Sequence, residues 1–233
     1  MSNPKATDLR IAGVARLSTC DWPGELAATI FCQGCAWSCP YCHNPGLRAV
    51  HGREVIAWEQ VRGFLAARVG LLDAVVFSGG EPTLQPALLP AMEEAKRMGF
   101  RIGLHTAGPS LQCLAPLVPL LDWVGFDIKA PFADYARITG VEGSGAKARA
   151  SLQLLLASGV ELEARTTVHA SLLSAQDLAA MRYELLALGV RNYAVQKFRT
   201  AGVAPENLAQ FPALPMPALN ADFGVGFSSF TLR

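Results

Sequence analysis

The sequence predicts an α/β fold, a partial (β/α)6 barrel in a single domain, and three observations carry that expectation. Short apolar runs rich in β-branched residues alternate with segments whose apolar residues recur at helical spacing, the pattern of βαβ units and a parallel sheet. The clearest run, Ala74-Val75-Val76-Phe77, is continuously apolar and stops at Gly79-Gly80, as strands buried on both faces do. The unusual polar residues fall just after the runs, where parallel barrels gather their functional groups. A length of 233 residues suits one large α/β domain, and 51% hydrophobic residues supply its core.

Taken in order, Ile11–Leu17 is an entry strand, and the turn-rich Asp21-Trp22-Pro23-Gly24 follows. Leu26–Cys32 is the first barrel strand, and Ala57–Val69, with Val61, Phe64, Leu65 and Val69 on one face, is a helix. After the Ala74–Phe77 strand, Leu88–Met98 is a helix closed by Gly99. Phe100–Leu104 is the third strand, and Leu111–Leu121 is helix-like but interrupted by Pro116 and Pro119. Trp123–Ile128, Glu161–Val168 and Tyr193–Val195 are the remaining strands, with helices over Ala146–Ala157 and Ala175–Leu188 between them, ended by Gly159 and Gly189. The boundaries that follow are 1–25 for an N-terminal extension with the entry strand, 26–200 for the barrel, and 201–233 for a tail that packs on it. That tail, from Pro205 onward, is rich in Pro and Gly and spreads Phe211, Phe223, Phe227 and Phe230 through its length.

Composition excludes several partners. The formal charge is +1 with no block of like charge, which argues against nucleic acid. No segment approaches the ~20 uninterrupted apolar residues of a membrane span. Met1–Arg10 is polar and lacks the apolar stretch of a signal peptide. With cysteines gathered in one loop, the expected location is a reducing cytoplasm.

That loop is Cys32-Gln33-Gly34-Cys35-Ala36-Trp37-Ser38-Cys39-Pro40-Tyr41-Cys42-His43-Asn44-Pro45. Cys35, Cys39 and Cys42 stand in C-x3-C-x2-C spacing, with the aromatic Tyr41 just before the third. Three thiolates on one loop can hold three irons of a [4Fe–4S] cube and leave the fourth open to a substrate. An open iron can take the amino and carboxylate groups of S-adenosylmethionine (SAM), and an electron can then split its sulfonium to start radical chemistry. Two alternatives stand beside this. Cys32/Cys35 and Cys39/Cys42 are C-x2-C pairs, as in structural zinc sites, although zinc ribbons put a longer excursion between pairs. A disulfide framework fits poorly with a long chain lacking a secretory signal. Cys32 ends an apolar run and has the character of a small buried hydrophobe.

The other strand ends supply a ligand cradle. Gly79-Gly80-Glu81-Pro82 follows the second barrel strand; two glycines let a ligand approach the backbone, whose carbonyls can accept from an ammonium, although an ordinary tight turn is the plain alternative. His105-Thr106 follows the third, where a donor or acceptor can face the methionine moiety. Asp127 and Lys129 are two apart on the fourth and share a face, Lys129 suited to a carboxylate and Asp127 to a ribose hydroxyl or a cation; a structural ion pair is the alternative. On the fifth, Glu163, Arg165 and Thr167 share a face, and Arg165 offers a fork for a carboxylate or pairs with Glu163. Gln196-Lys197-Phe198-Arg199 closes the sixth. The candidate cofactor-binding set is thus Tyr41, Gly79, Gly80, Glu81, Thr106, Asp127, Lys129, Arg165 and Gln196, with Cys35, Cys39 and Cys42 as metal ligands and no side chain assigned as an acid–base catalyst. His43, beside Cys42, can support the cluster from outside its ligand set; His51 and His169 carry no functional argument.

Cys35/Cys39/Cys42, the GGEP stretch at Gly79–Pro82 and the βα repeat together resemble the radical SAM superfamily. Asp21-Trp22-Pro23-Gly24, Gln33-Gly34-Cys35, Cys42-His43-Asn44-Pro45, Gly103–Gly108, Asp122–Gly125, Asp127-Ile128-Lys129, Arg165–Val168 and Gln196–Arg199 narrow the likeness. From about Ile11 to Arg199 the chain looks like the anaerobic ribonucleoside-triphosphate reductase activating proteins. That resemblance implies a [4Fe–4S] cluster, SAM, a glycyl-radical enzyme as partner and a flavodoxin or ferredoxin as electron donor. It further implies that a 5′-deoxyadenosyl radical takes hydrogen from a glycine Cα of the partner. Pyruvate formate-lyase activases share much of the pattern, and Ala107 replaces the Asn of a Thr-Asn-Gly found in many relatives, so it is assigned no ligand role. The rival readings are a radical SAM enzyme acting on a small molecule and a non-catalytic iron–sulfur or zinc protein.

Overall fold

The continuously apolar runs become strands, and the segments with an apolar stripe become the helices that cover them. In the computed structural model, which describes residues 3–52, 55–203, 207, 211–219 and 222–233, the strands are β1 (Ile11–Ser18), β2 (Ala27–Cys32), β3 (Ala74–Gly79), β4 (Arg101–Thr106), β5 (Trp123–Asp127), β6 (Glu161–Val168), β7 (Asn192–Lys197) and β8 (Ser229–Leu232). The helices are α1 (Trp58–Ala66), α2 (Leu88–Arg97), α3 (Leu111–Leu114), α4 (Tyr135–Thr139), α5 (Ser144–Ser158) and α6 (Ala175–Leu188). Strand order follows chain order from β1 to β8. β1 is antiparallel to β2, whereas β2/β3, β3/β4, β6/β7 and β7/β8 are parallel. The result is an α/β fold with a mixed, mostly parallel eight-stranded sheet, consistent with a partial barrel.

Contacts group the chain into two compact units interleaved along the sequence. The first comprises Met1–Ala36, Gly46–Thr106 and Ser110–Gly125, and the second Trp37–Pro45, Ala107–Pro109 and Phe126–Arg233. Because the units are interleaved, neither needs the linker whose absence from the sequence suggested a single domain.

The core of the first unit is built around the turn after β1. Trp22 stacks on Trp123 at 5.4 Å between ring centroids and is buried with Ala27, Ala74 and Val76. These are first or early residues of β2 and β3, so small side chains there make room for the indoles. A Cβ at Gly103 would stand 2.9 Å from the Trp22 ring, which explains the glycine in the middle of β4. α2 buries Leu88, Ala91, Met92 and Ala95, an i, i+3, i+4, i+7 stripe. The Trp58 indole N–H of α1 donates to Glu94 Oε2 of α2 at 2.7 Å.

In the second unit α5 and α6 end in left-handed Gly159 and Gly189, as the sequence predicts. In the first unit, the helix-like stretch from Leu111 survives as α helix only to Leu114 and continues as 3-10 helix over Ala115–Leu120, because Pro116 and Pro119 cannot donate the backbone bonds. Two elements go beyond the sequence reading. α4 has only five residues, and β8 adds a parallel strand beside β7 from within the tail. Phe227, Phe230 and Phe223 then surround the Tyr193 ring at 5.2, 6.0 and 6.3 Å. Pro205, where the Pro- and Gly-rich part of the tail was expected to begin, lies outside the described residues.

Candidate functional site

In the first unit, β2 runs out into the cysteine loop and β3 into the glycine pair. The base of the loop is fixed by the buried Gln33, whose amide nitrogen donates to the carbonyls of Gly46 at 3.0 Å and Ala49 at 2.6 Å. The Gly34 and Cys35 amides donate to the carbonyls of Leu47 and Arg48 at 2.7 and 3.0 Å. Gly79 has φ of +111° and a Cβ there would sit 2.5 Å from the Cys32 amide nitrogen, while one at Gly80 would overlap the Gly34 carbonyl oxygen. Only glycine fits either position, because the protein's own backbone packs against both.

Glu81 is 3% exposed. Its Oε1 accepts from the Thr83 amide at 3.2 Å, the Thr83 hydroxyl at 2.7 Å and the Thr106 hydroxyl at 2.7 Å. The carboxylate thus ties the end of β3 to the end of β4, and brings Glu81 and Thr106 of the candidate set together. His105 is held by the protein at both ring nitrogens: Nε2 donates to the Asp21 carbonyl at 2.6 Å and Nδ1 accepts from the Ser78 hydroxyl at 3.1 Å. Cys32 is fully buried, and burial first, then the charge of Glu81, pushes its thiol up to about 12. It is a neutral thiol at physiological pH, in keeping with its expected structural character.

In the second unit, two cations converge on one carboxylate. Lys129 Nζ lies 3.0 Å from Asp127 Oδ2, and the Arg165 guanidinium lies 3.0 Å from Oδ1. Arg165 therefore pairs with Asp127 rather than with Glu163, which meets Arg233 instead. Arg165 is 8% exposed. Burial works against the Lys129 ammonium, but Asp127 beside it, with Tyr41 and Cys39 nearby, holds its pKa well above the usual lysine value. Lys129 also stands 5.7 Å over the Tyr41 ring. The Tyr135 hydroxyl of α4 accepts from the Lys129 amide at 3.1 Å. Gln196, next to last in β7, is half-buried and registers with Thr167 of β6.

The cysteine loop is braced in this unit as well. Both the amide and the hydroxyl of Ser38 donate to the Thr139 carbonyl at the end of α4, at 2.9 and 3.3 Å, so the helix missing from the sequence reading supports the loop. Tyr41 is 5% exposed, and its hydroxyl finds no hydrogen-bond partner among the described residues. Burial pushes that phenol further above its usual value. Burial likewise raises the Cys39 thiol, against the pull of Lys129. Cys35, Cys39 and Cys42 are half-buried, and none is joined in a disulfide. Among the described residues no three His, Cys, Asp or Glu side chains are gathered as a single metal ion requires; cluster thiolates each meet a separate iron.

The residues present fit the group that the cysteine spacing implies. An all-sulfur donor set suits an iron–sulfur cluster, and the Tyr41 hydroxyl, one residue before Cys42, is a buried polar atom with no partner among the described residues. Among the described residues no helix is long and apolar enough to cross a membrane.

Comparison with known proteins agrees with this chemistry. Residues 29–172 match the family model of the radical SAM superfamily. A protein of Methanocaldococcus jannaschii, provisionally named a glycyl-radical enzyme activating enzyme, is 32% identical over 90% of this chain and 87% of its own. A PqqA peptide cyclase of Gluconobacter oxydans is 35% identical over 58% of this chain and 39% of its own, and a pyruvate formate-lyase-activating enzyme of Clostridium pasteurianum is 34% identical over 56% and 57%. The chain thus spans well under two thirds of the length of the latter two. Among solved structures, Streptococcus suis SuiB bound to S-adenosylmethionine superposes with a TM-score of 0.59 at 11% identity, covering 73% of this chain and 40% of that one. QueE from Escherichia coli gives 0.53 at 16% identity, covering 83% and 85%. At these identities the structural likeness speaks for the fold alone. The family match spans more than half of the chain, and on that ground the protein belongs to the radical SAM superfamily and is an enzyme of redox chemistry.

Proposed function

We propose that this enzyme is an activase that cleaves SAM reductively at a [4Fe–4S] cluster and installs a glycyl radical on a partner enzyme, anaerobic ribonucleoside-triphosphate reductase. The similarity to a provisionally named activase over 90% of this chain and 87% of that relative carries the reading. Cys35, Cys39 and Cys42 are the proposed iron ligands. When bound, the cluster supplies the electron that splits SAM into methionine and a 5′-deoxyadenosyl radical, which takes a hydrogen atom from the partner's glycine.

The chain's own residues bind and orient. The carbonyls of Gly79 and Gly80 accept from the SAM ammonium, while Glu81 and Thr106 hold that backbone in place through their hydrogen bond. Lys129 and Arg165 meet the carboxylate, Asp127 a ribose hydroxyl, and Tyr41 and Gln196 complete the contacts. The electron comes from a flavodoxin or ferredoxin, and the reaction belongs in the cytoplasm. Similarity to a PqqA peptide cyclase supports a second reading, radical modification of a peptide.

The test is anaerobic reconstitution with iron and sulfide, followed by dithionite, SAM and the reductase. The wild type and Cys32→Ala release 5′-deoxyadenosine and raise a glycyl-radical doublet in electron paramagnetic resonance (EPR). The Cys35→Ala/Cys39→Ala/Cys42→Ala variant does neither. Deoxyadenosine without the doublet moves the assignment to the peptide reading; a cluster-loaded wild type that leaves SAM intact sinks both.

A further inference from the structure

Two histidines and the C-terminal tail have no part in the function proposed above, yet in the second unit they meet. His43 directly follows Cys42, and its Nε2 donates to the Arg199 carbonyl at 2.9 Å. The His43 ring lies 5.7 Å from that of Phe198. Phe198 in turn lies 4.8 Å from Phe211 of the tail, and His169 stands edge-on to both at 5.0 Å. His169 Nε2 donates to the Pro212 carbonyl at 3.1 Å, and Nδ1 accepts from the Ser171 amide at 3.1 Å. Phe211, His169 and Phe198 are 5%, 8% and 9% exposed. The backbone approaches closely as well: Gly202 has φ of +88°, and a Cβ there would stand 2.5 Å from the His43 carbonyl oxygen. The segment after β7 is therefore fastened to the loop residue beside Cys42 by a hydrogen bond, a ring contact and a close backbone approach.

We propose that the tail segment at Phe211–Pro212 is a strap that fixes the Cys42 end of the cysteine loop, through the ring column Phe211–Phe198–His43 and the His43–Arg199 hydrogen bond. Phe211, His169 and His43 are positioning residues: none is a ligand, and each acts on Cys42 through the next. His169 clamps Pro212, so that Phe211 stays seated on Phe198. Phe198 then orients the His43 imidazole for the Arg199 carbonyl, and the backbone carrying Cys42 follows. The consequence for a bound cluster rests on the iron–sulfur reading above; the restraint on the loop does not.

The experiment therefore has two arms. In cluster-free protein, the rate of Cys42 alkylation is followed by peptide mapping for His43→Ala, Phe211→Ala and His43→Gln, the last offering an amide N–H in place of Nε2. Phe227→Ala is the control, because it opens the Tyr193 ring group of the same tail without touching the column. We expect His43→Ala and Phe211→Ala to speed alkylation by about tenfold, the factor for loss of one ring contact or hydrogen bond. His43→Gln returns toward wild type, and Phe227→Ala leaves the rate unchanged. In reconstituted protein, the first two variants also lose iron to a chelator faster and broaden the EPR signal of the reduced cluster. Wild-type alkylation rates in both His43→Ala and Phe211→Ala, or an equal increase in Phe227→Ala, would overturn the strap. Should Phe211→Ala fail to fold, His43→Ala at its half-buried site decides the first arm. A wild type that takes up no cluster counts against the iron–sulfur reading, and the alkylation arm still decides this one.

Discussion

Tyr41 carries a hydroxyl that is buried, un-ionised and without a partner among the described residues. Leaving such a group unsatisfied costs about 1–3 kcal/mol. Tyr41→Phe should therefore raise the stability of the cofactor-free protein by about 1 kcal/mol, read as the urea midpoint. The same substitution should weaken SAM binding to the reconstituted enzyme in anaerobic calorimetry. Lower stability in the variant would mean that the hydroxyl is already satisfied. At this scale the sequence was informative wherever spacing along the chain carries the chemistry. The cysteine triplet, the glycine pair and the Asp127/Lys129 pair could all be read from neighbouring residues. The partners of Glu81 and Arg165 could not. They are set by which strand end lies beside which, and Thr106 and Asp127 are 25 and 38 residues away in sequence.

Among the elements, α6 was read to its last residue because its start and stop are written locally. Ser174 accepts from the Asp177 amide at 3.1 Å, and the Asp177 carboxylate accepts from the Ser174 amide at 2.7 Å, a reciprocal cap. Burial alone would raise the Asp177 pKa, but the bonds from Ser174 and the charge of Arg137 lower it below 3.8. A depressed carboxylate pKa contributes stability above the unfolded-state value, and that contribution is lost as pH falls through the folded one. Ser174→Ala should cost about 1 kcal/mol near neutral pH. Its deficit relative to wild type should shrink below pH 3.8 as the cap protonates in both proteins. Thermal midpoints at several pH values measure this; a deficit independent of pH would place the effect outside the cap. α4 and β8 escaped the sequence reading for a different reason. Five and four residues are too few to display a period, and each is held by contacts with distant chain: α4 by the loop at Ser38, β8 by β7.

For the molecule as a whole, the interleaving of the two units could not be read from the sequence. Composition shifts mark linkers, and a chain that passes back and forth between two units has none to mark. The tail shows how far the last residues matter. At the end of the β7/β8 pair the Lys197 amide donates to the Arg233 carbonyl and the Arg233 amide to the Val195 carbonyl, and Phe223 and Phe230 pack on the Tyr193 ring. Deleting residues 222–233 should uncover the β7 edge together with that aromatic surface, an arrangement prone to strand-to-strand association. Light scattering should show oligomers in the truncated protein at concentrations where the full chain scatters as a single species; equal scattering would mean that β8 is dispensable. The crowding of Gly80 against the Gly34 carbonyl has a longer reach. That carbonyl also receives the Glu81 amide, and the next residue along is Cys35. The glycine turn and the start of the cysteine loop are thus one mechanical joint and would have to be inherited together. A lineage acquiring a new substrate has little freedom to vary this joint, and its room for novelty lies in segments that do not cross it.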